Sequence, residues 1–451
     1  MNRHQLPVLN GHVAESSILT DGTRKKIHPA DVRGRFLRAR RLVFVALIAL
    51  WLLLPVVRLG GHPALFLDVE HRRFFVFGAT FNPQDFWLVF FLATGVGFGL
   101  VYATAVLGRV WCGWACPQTV FLEALFRPIE RLVGGPREAR LRGTPLPRRV
   151  LKHALYLVAS AFVAHVFVSY FVSASSLAAM MRGAPSAHPE AFGWMLATTA
   201  LFYGNFAFFR EQTCVALCPY GRLQSVLIDD DSLVIGYDEA RGEPRGKKGK
   251  TTGDCVDCNR CVVVCPTGID IRNGLQMDCI ACAQCVDACD EIMDKLDRPR
   301  GLVRYDSLRG LRGETRRILR PRVWLYTGLA ALGLIVFFLA ARSRTSFEAT
   351  LVRQPGAPFT REPDGVRNGF FVHVVNKKAE ARRYVIEAEP AEGLRFVVPV
   401  TEVDVGPLTD HRVPIFVSAP SDLRGRPTVR IRVRDDEEVR VVEATFLGGA
   451  P

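Results

Sequence analysis

The cysteines are the residues of this chain that point most directly to a chemistry. Eight of the twelve fall in two runs, "CVDCNRCVVVCP" at Cys255–Pro266 and "CIACAQCVDAC" at Cys279–Cys289. Both have the spacing C-x2-C-x2-C-x3-C, which wraps thiolates around two [4Fe–4S] cubes, the fourth cysteine of each run binding the other cluster. The predicted ligands of the first cluster are Cys255, Cys258, Cys261 and Cys289. Those of the second cluster are Cys279, Cys282, Cys285 and Cys265.

Structural zinc is the main alternative for these runs, because zinc sites also use C-x2-C pairs. Zinc ribbons separate their two pairs by a longer stretch, whereas three cysteines fall within seven residues twice in this chain. Asp290, not proline, follows the second run, and this departure leaves the ligand set intact. Paired clusters carry single electrons and transform no substrate by themselves, so a reaction has to be completed elsewhere.

The other four cysteines form two copies of a C-x3-C-P motif. The first copy is "WCGWACP" with Cys112 and Cys116, and the second is "TCVALCP" with Cys214 and Cys218; corresponding cysteines are 102 residues apart in both pairs. In a continuous helix the two thiols of a motif would share one face. Proline disfavours helix at the residue before it, so each motif is expected to bend at its second cysteine.

Four thiols brought together by such a repeat have several chemical uses. Cu(I) prefers soft sulfur ligands, and the same thiols would also serve as ligands of a further iron–sulfur cluster or as redox dithiols. A buried cysteine can otherwise be a small hydrophobic residue and nothing more. The residues leave the choice among copper, iron and a dithiol open.

Four further residues are weaker candidates for metal binding. His165 lies inside an apolar run, where an ionisable group is a functional candidate by default, although a packed neutral imidazole is an equal alternative. Met180, Met181 and His188 lie in the following loop and have side chains that bind copper. Two methionines at the end of an apolar run are more often membrane-facing, which is the competing interpretation.

Five apolar runs without Asp, Glu, Lys or Arg have about the length that crosses ~30 Å of hydrocarbon at 1.5 Å per residue. They are Leu42–Val57, Phe86–Leu107, Ala154–Val172, Ala191–Phe209 and Val323–Ala341, and we interpret them as five transmembrane helices. Basic segments at Met1–Arg41, Arg127–Arg149 and Arg316–Arg322 place these three segments in the cytoplasm. No signal peptide is expected, because the first apolar run continues as a full span.

The net charge of +14 would fit nucleic acid, but most of the basic excess flanks apolar runs and is better explained by the membrane. No nucleic-acid motif and no nucleotide or flavin motif is recognisable.

The topology also disfavours disulfides in the cysteine-rich segment, because it places that segment in a reducing compartment.

The chain therefore divides into five predicted parts. They are a basic cytoplasmic N-terminus (1–41), a four-helix membrane region with two C-x3-C-P repeats (42–226), a cytoplasmic α+β domain for two [4Fe–4S] clusters (227–320), a fifth transmembrane helix (321–342) and an outer all-β domain (343–451). The residues between Cys265 and Cys279 are expected to form a short strand–turn–strand. Six alternating pieces in the last part indicate a two-sheet sandwich: "NGFFVHVV", "RRYVIEAE", "LRFVVPV", "HRVPIFVS", "TVRIRVR" and "VRVVEATFL".

From about Arg35 to the C-terminus, the order of these parts resembles the CcoG/FixG/RdxA polyferredoxins, accessory proteins in the biogenesis of cbb3-type cytochrome c oxidase. The two motifs at Cys112–Pro117 and Cys214–Pro219, the double run at Cys255–Cys289 and the strand-rich tail carry the resemblance. Many ferredoxins share the double run alone, so the specificity lies in the combination.

The resemblance implies a multi-pass protein of the bacterial cytoplasmic (inner) membrane with a periplasmic immunoglobulin-like domain. It also implies reduction of Cu(II) to Cu(I) for the oxidase, with Cys112, Cys116, Cys214 and Cys218 binding or reducing copper and the other eight cysteines carrying electrons. The implied partners are membrane lipid, oxidase subunits or copper chaperones and transporters, and a cytoplasmic electron donor that the sequence does not name. A homo-oligomer is left open.

Two other functions remain as hypotheses. Relatives of similar architecture imply a quinol-linked membrane ferredoxin that relays electrons to a partner redox protein without copper. In the remaining hypothesis the chain is a scaffold, whose outer sandwich recruits oxidase subunits while the clusters are structural. Whether the protein is an enzyme or only an electron carrier therefore depends on what the four motif thiols do.

Overall fold

The helices of the computed structural model follow the predicted apolar runs and also fill the segments between them. The structure describes residues 26–70, 72–82, 85–246, 253–343, 345–378, 380–421 and 423–448; most of the predicted basic N-terminus lies outside these ranges. The α-helices are α1 (Arg35–Leu53), α2 (Phe86–Leu107), α3 (Val110–Trp114), α4 (Pro117–Phe121), α5 (Arg127–Gly134), α6 (Arg137–Leu141), α7 (Leu146–Val168), α8 (Ala174–Met180), α9 (Pro189–Gly204), α10 (Pro219–Leu227), α11 (Glu239–Gly242), α12 (Arg260–Val263), α13 (Gln284–Lys295), α14 (Leu308–Leu311) and α15 (Pro321–Arg342). Turns of π-helix occupy Leu122–Phe126, Asn205–Phe209 and Thr213–Leu217, and 3-10 turns occupy Pro185–Ala187 and Ile271–Asn273.

Three helices among the described residues are long and apolar enough to cross a membrane. They are Trp87–Leu107, Leu146–Val168 and Pro321–Arg342. The predicted run at Leu42–Val57 lies on α1, but that helix begins in the basic segment at Arg35 and ends at Leu53. The run at Ala191–Phe209 is divided between α9, with 16 residues, and a π-helical turn. The structure therefore supports a membrane protein with three candidate spans, where the sequence predicted five.

The strands are β1 (Arg58–Leu59), β2 (His62–Pro63), β3 (Leu65–Asp68), β4 (Arg73–Val76), β5 (Ala79–Phe81), β6 (Val234–Tyr237), β7 (Val303–Asp306), β8 (Phe347–Arg353), β9 (Thr360–Glu362), β10 (Gly365–Asn376), β11 (Arg382–Ala388), β12 (Arg395–Val397), β13 (Glu402–Val405), β14 (Asp410–Ala419), β15 (Thr428–Arg434) and β16 (Val439–Thr445). The chain separates into two compact units, residues 1–66 with 91–335 and residues 67–90 with 336–451. The first unit contains all twelve cysteines.

The second unit contains the predicted β-sandwich. One sheet has the order β12-β14-β10-β8 with β9 beside β10, and the other has the order β13-β11-β15-β16. Alternate residues of β10, β14 and β15 are buried, because successive side chains of a strand point to opposite faces. All six predicted strands form, and Phe370, Ile415 and Ile431 are among the side chains that fill the core between the sheets. The sequence did not predict β8, β9 and β13.

The cysteine-rich segment is held between two strands that lie far apart in the sequence. Strands β6 and β7 pair antiparallel, with Val234 opposite Asp306 and Tyr237 opposite Val303, and both cysteine runs lie between them in the chain. The predicted strand–turn–strand between Cys265 and Cys279 is wrong, because this stretch contains one 3-10 turn and otherwise irregular backbone.

The first turn of α1 is capped by a residue from this segment. Gly34 has no side chain to cap the helix, and the backbone N–H groups of Phe36 and Leu37 donate to the Asp287 carboxylate at 3.1 and 2.7 Å. A side chain at Gly34 would collide with Asp287. An anion at a helix N-terminus is stabilised by the free N–H groups and by the helix dipole, so α13 holds the start of α1.

Asp287→Ala should therefore loosen the start of α1 by about 1 kcal/mol. Trypsin should then cut faster after Arg35 and Arg38, which limited digestion followed by mass spectrometry would detect. Asp294→Ala is the matched control, because Asp294 lies on the same helix but pairs with Arg300 at the surface. Equal digestion of the two variants would show that the Asp287 cap does not hold α1.

Candidate electron-transfer site

Both C-x2-C-x2-C loops have the same unusual backbone. Asp257 and Asn259 in the first loop have φ angles of 52° and 56°, and Ala281 and Ala283 at the corresponding positions of the second have 51° and 59°. A left-handed conformation is unfavourable for residues other than glycine and persists only where the surroundings impose it. The two loops therefore share one backbone conformation, which curves each loop around its cysteines.

Two cavities lie inside these loops, and each is lined by cysteines of both runs. Residues lining one cavity include Cys255, Cys258, Cys261 and Cys289. Residues lining the other include Cys265, Cys279, Cys282 and Cys285, and Cys261 lines both cavities. The fourth cysteine of each run thus contributes to the cavity of the other run.

The donor set fits iron–sulfur clusters. Burial raises the pKa of Cys279 to about 11 and that of Cys282 to about 12, so these thiols become thiolates only beside a strong positive charge such as that of iron. Within the ranges that the structure describes, no three cysteine, histidine or carboxylate groups meet closely enough to hold one metal ion. A [4Fe–4S] cube needs no such convergence, because each iron takes its own thiolate.

The two cavities differ in their access to solvent. Cys258 in the first is exposed, whereas Cys279 and Cys282 in the second are buried. The first cavity is therefore the one that a partner in solution can approach, and the second faces the interior of the unit.

Each C-x3-C-P motif bends at its second cysteine, as the prolines predict. Cys116 and Cys218 have extended backbones and begin the helices α4 and α10. The N–H of Cys116 donates to the Trp111 carbonyl at 2.9 Å, and that of Cys218 donates to the Thr213 carbonyl at 2.8 Å. In both motifs the bond spans five residues, so the two copies share one local fold, in which the cysteine pair is not on a continuous helix.

The fold brings the two motifs together. The Cys112 thiol donates to the Gln224 side chain of α10 at 3.3 Å, which links the first motif to the second repeat. Burial, followed by repulsion from Cys116, Cys112 and Cys218, raises the pKa of Cys214 to about 12. The thiols of the two repeats thus lie close enough to affect each other's ionisation, and they form one site, called here the motif thiol site.

The motif thiol site is in direct contact with the second cysteine run. A Cβ atom at Gly113 would fall well inside van der Waals contact of the Ile280 carbonyl oxygen and 3.0 Å from the Ala281 carbonyl. Gly113 lies between Cys112 and Cys116, and Ile280 and Ala281 lie between Cys279 and Cys282. Only a residue without a side chain permits this approach.

Two buried arginines connect the same elements. Arg40 of α1 donates to the Gly113 carbonyl at 2.9 Å, and its charge favours the thiolate of Cys282. Arg109 donates to the Gly221 carbonyl at 3.0 Å and to the Met277 carbonyl. Positive charge beside a cluster stabilises its reduced, more negative form, so both arginines favour an electron in the second cavity.

A chain of hydrogen bonds runs beside this contact. The Trp114 indole N–H donates to the Tyr305 hydroxyl at 3.0 Å, and that hydroxyl donates to the Ala281 carbonyl. An aromatic pair thus links the first motif to the loop between Cys279 and Cys282.

A buried ionic cluster supports the site from the other side. Arg210, just before the second motif, lies 3.0 Å from the Glu130 carboxylate, and Arg127 donates to the Pro266 carbonyl at 2.9 Å. Burial raises the pKa of the Glu130 carboxyl. The hydrogen bond with His28 and the charge of Arg210 lower it by more, so the pKa lies below its ordinary value. Pro266 follows Cys265, so this cluster fixes the loop of a second-cavity cysteine.

Comparison with known proteins agrees with this arrangement. Residues 209–308 match the family described as a 4Fe-4S dicluster domain, residues 86–136 match a 4Fe-4S binding domain, and residues 337–449 match the IG-like fold at the C-terminal of FixG. The nitrogen fixation protein FixG of Rhizobium meliloti is 37% identical over 88% of this chain and 87% of its own length. The chain belongs to the FixG/RdxA family.

Two further relatives of this FixG/RdxA protein come from Cereibacter sphaeroides. Protein RdxA is 35% identical over 94% of this chain and 98% of its own length, and protein RdxB is 38% identical over 80% and 82%. The family resemblance predicted from the motifs is confirmed. An iron–sulfur membrane protein with an immunoglobulin-like C-terminal domain follows from these matches and from the three apolar helices.

Gly113→Ala should force the first motif away from the loop between Cys279 and Cys282. Overpacking of this kind costs about 1–3 kcal/mol, and we expect the visible iron–sulfur absorbance of the anaerobically purified protein to disappear at a lower temperature. Gly99→Ala is the matched control, because a Cβ atom at Gly99 meets nothing within 4 Å. Identical melting of the two variants would contradict the close contact.

The crossed ligand sets give a spectroscopic prediction. Cys289→Ala should remove the same electron paramagnetic resonance signal as Cys255→Ala, and Cys265→Ala the same signal as Cys279→Ala, because each pair lines one cavity. Spectra of the reduced protein at low temperature test this. If Cys289→Ala instead removed the signal that Cys279→Ala removes, each run would hold its own cluster.

Proposed function

We propose that this protein passes electrons from two [4Fe–4S] clusters to the motif thiol site and there reduces Cu(II) to Cu(I) for assembly of a cbb3-type cytochrome c oxidase. The approach of Gly113 to Ile280 and Ala281 carries the proposal. It leaves no intervening side chain between the loop of the second cavity and the first motif.

The cysteines and the buried arginines have different roles in the proposed electron transfer. The clusters supply single electrons when bound, which matches the one-electron Cu(II)/Cu(I) couple. Cys258, being exposed, would hold the cluster that a donor in solution can reach, and the buried Cys279 and Cys282 would hold the cluster that lies beside Gly113. Arg40 and Arg109 favour the electron on that side by their charge.

The motif thiols receive copper as the substrate. One electron converts bound Cu(II) to Cu(I), the form for which thiolate is the preferred ligand. Because the pKa of Cys112 and that of Cys214 are raised by burial, these thiols release protons when the metal binds. In the described residues no three such groups converge on one point, so binding a single ion draws the thiols closer together.

The proposal includes the predicted topology. It places five spans in the bacterial cytoplasmic membrane, with α1 and α9 crossing it in addition to the three candidate spans, the cluster domain in the cytoplasm and the sandwich in the periplasm. Oxidase subunits or copper chaperones would receive the Cu(I), and a cytoplasmic donor would reduce the exposed cluster.

A second candidate function is supported by the family match at residues 86–136, which is described as a 4Fe-4S binding domain and contains the first motif. In that case the motif thiols hold a further cluster, and the protein relays electrons between quinol and a partner redox protein. Iron quantification after anaerobic purification separates the two: about eight irons per chain leave the motif thiols for copper, and about twelve assign them to iron.

The double variant Cys112→Ala with Cys214→Ala should lower copper reduction to the rate seen without protein, while both cluster signals remain. The reason is that each repeat then lacks one thiol of the motif thiol site. A colorimetric Cu(I) assay with chemically reduced protein measures the rate, and Val226→Ala, an exposed change on α10, is the control. Copper reduction retained in the double variant would exclude the motif thiols as its site.

A further inference from the structure

A cavity of about 330 Å³ lies among α7, α8 and α9, away from the cysteines. Five of the residues that line it carry side chains that bind soft metals: His165, Met180, Met181, His188 and Met195. The chain has six methionines in all, and three of them meet at this one place. Leu177 and Leu196 also line the cavity, as in any apolar cluster, but apolar clustering does not account for two imidazoles beside three thioethers.

His165 is prepared for metal binding by its hydrogen bond. Its Nδ1 lies 2.7 Å from the Ala161 carbonyl oxygen, and because a carbonyl oxygen only accepts, Nδ1 carries the proton. In the neutral imidazole, the other ring nitrogen, Nε2, then carries the free lone pair. Histidine ligands of metals are oriented by such a bond from the second nitrogen to a carbonyl, and His165 lies within the candidate span Leu146–Val168.

The other donors extend from the interior to the surface. Met195 is 9% exposed, whereas Met181 is 62% exposed, and His188 lies in the exposed segment before α9. No aspartate or glutamate is among the residues that line the cavity. Hard cations such as Mg²⁺ and Ca²⁺ prefer oxygen ligands, whereas thioethers and imidazole select copper, and thioethers favour Cu(I).

The cavity is separate from the motif thiol site. On the same helix as His165, the His153 ring nitrogen lies 2.9 Å from the Tyr203 hydroxyl, near the end of α9 that leads to the second motif. Twelve residues of helix separate His153 from His165, which corresponds to about 18 Å. The two sites therefore lie at opposite ends of the α7–α9 pair.

We propose that this cavity binds one Cu(I) ion through the imidazole nitrogens and thioether sulfurs that line it. The proposal rests on the proposed function in so far as Cu(I) is the product of the motif thiol site. It adds a second binding site for that product at the far end of the α7–α9 pair. There Met181 and His188 are exposed, so an acceptor can reach the bound ion.

The test is anaerobic Cu(I) titration of the full-length protein in detergent, in competition with a chromophoric Cu(I) chelator. The variants are His165→Ala and Met195→Leu, the latter removing sulfur with little change of volume. Each should weaken one Cu(I) site by about tenfold or more, and X-ray absorption should show the loss of one nitrogen or one thioether ligand. His153→Ala is the matched control, since it is a histidine of the same helix outside the cavity, and it should leave the affinity unchanged.

The copper site in the cavity and the copper-reducing function can be tested independently of each other. The double variant Cys112→Ala with Cys214→Ala should keep the Cu(I) site of the cavity even though copper reduction is lost. The cavity proposal is overturned if His165→Ala and Met195→Leu bind Cu(I) as the unmodified protein does, or if the double cysteine variant retains no Cu(I). If the protein reduces copper but His165→Ala and Met195→Leu leave its Cu(I) affinity unchanged, the proposed function stands and the second copper site is excluded.

Discussion

The approach of two backbones at Gly113 is the constraint on which the first unit depends. The first motif can touch the loop between Cys279 and Cys282 only because residue 113 has no side chain. Arg40, Arg109 and the Trp114–Tyr305 pair then connect the elements on either side of that contact. Apolar helices and a cluster-binding segment thereby become one folded body.

Burial of charge is the second organising feature of this unit. Arg40, Arg127 and Arg210 are each at most 2% exposed, and such a position is tolerated only when carboxylates or backbone carbonyls satisfy the guanidinium. Two of these partners are backbone carbonyls, that of Gly113 in the first motif for Arg40 and that of Pro266 beside Cys265 for Arg127. Arg40 and Arg127 thus position the first motif and the loop after Cys265, and Arg40 also brings positive charge beside Cys282.

The sequence predicted the parts of the site that depend on spacing along the chain. Cysteine spacing predicted that the fourth cysteine of each run lies with the other run, as the linings of the two cavities show, and the prolines at 117 and 219 were enough to predict the bends. The alternation of β10, β14 and β15 predicted the sandwich. These features depend on local geometry, which a single stretch of sequence contains.

What the sequence did not predict depends on contacts between distant residues. Nothing in the sequence around Arg40, Gln224 or Tyr305 marks them as neighbours of the motifs, because their partners lie 73 to 191 residues away. The strand–turn–strand after Cys265 failed for a related reason. Strands β6 and β7, which lie outside the cysteine runs, pair with each other in a two-stranded sheet, and the stretch after Cys265 forms a 3-10 turn and joins no sheet. The only available signal for Arg40 was its position, a charge at the end of a basic segment directly before an apolar run.

The cap that Asp287 provides for α1 also sets an order of events during synthesis. The capped amide of Phe36 precedes its cap by 251 residues, and at 5–20 residues per second this interval lasts roughly 12–50 s. During that time water is the hydrogen-bond acceptor for the first N–H groups of α1. Asp287 is placed by α13, the helix that contains both Cys285 and Cys289, one ligand of each predicted cluster. The first helix that the structure describes is therefore completed only after Asp287 has been synthesised, and its completion depends on the helix that contains Cys285 and Cys289 being in place.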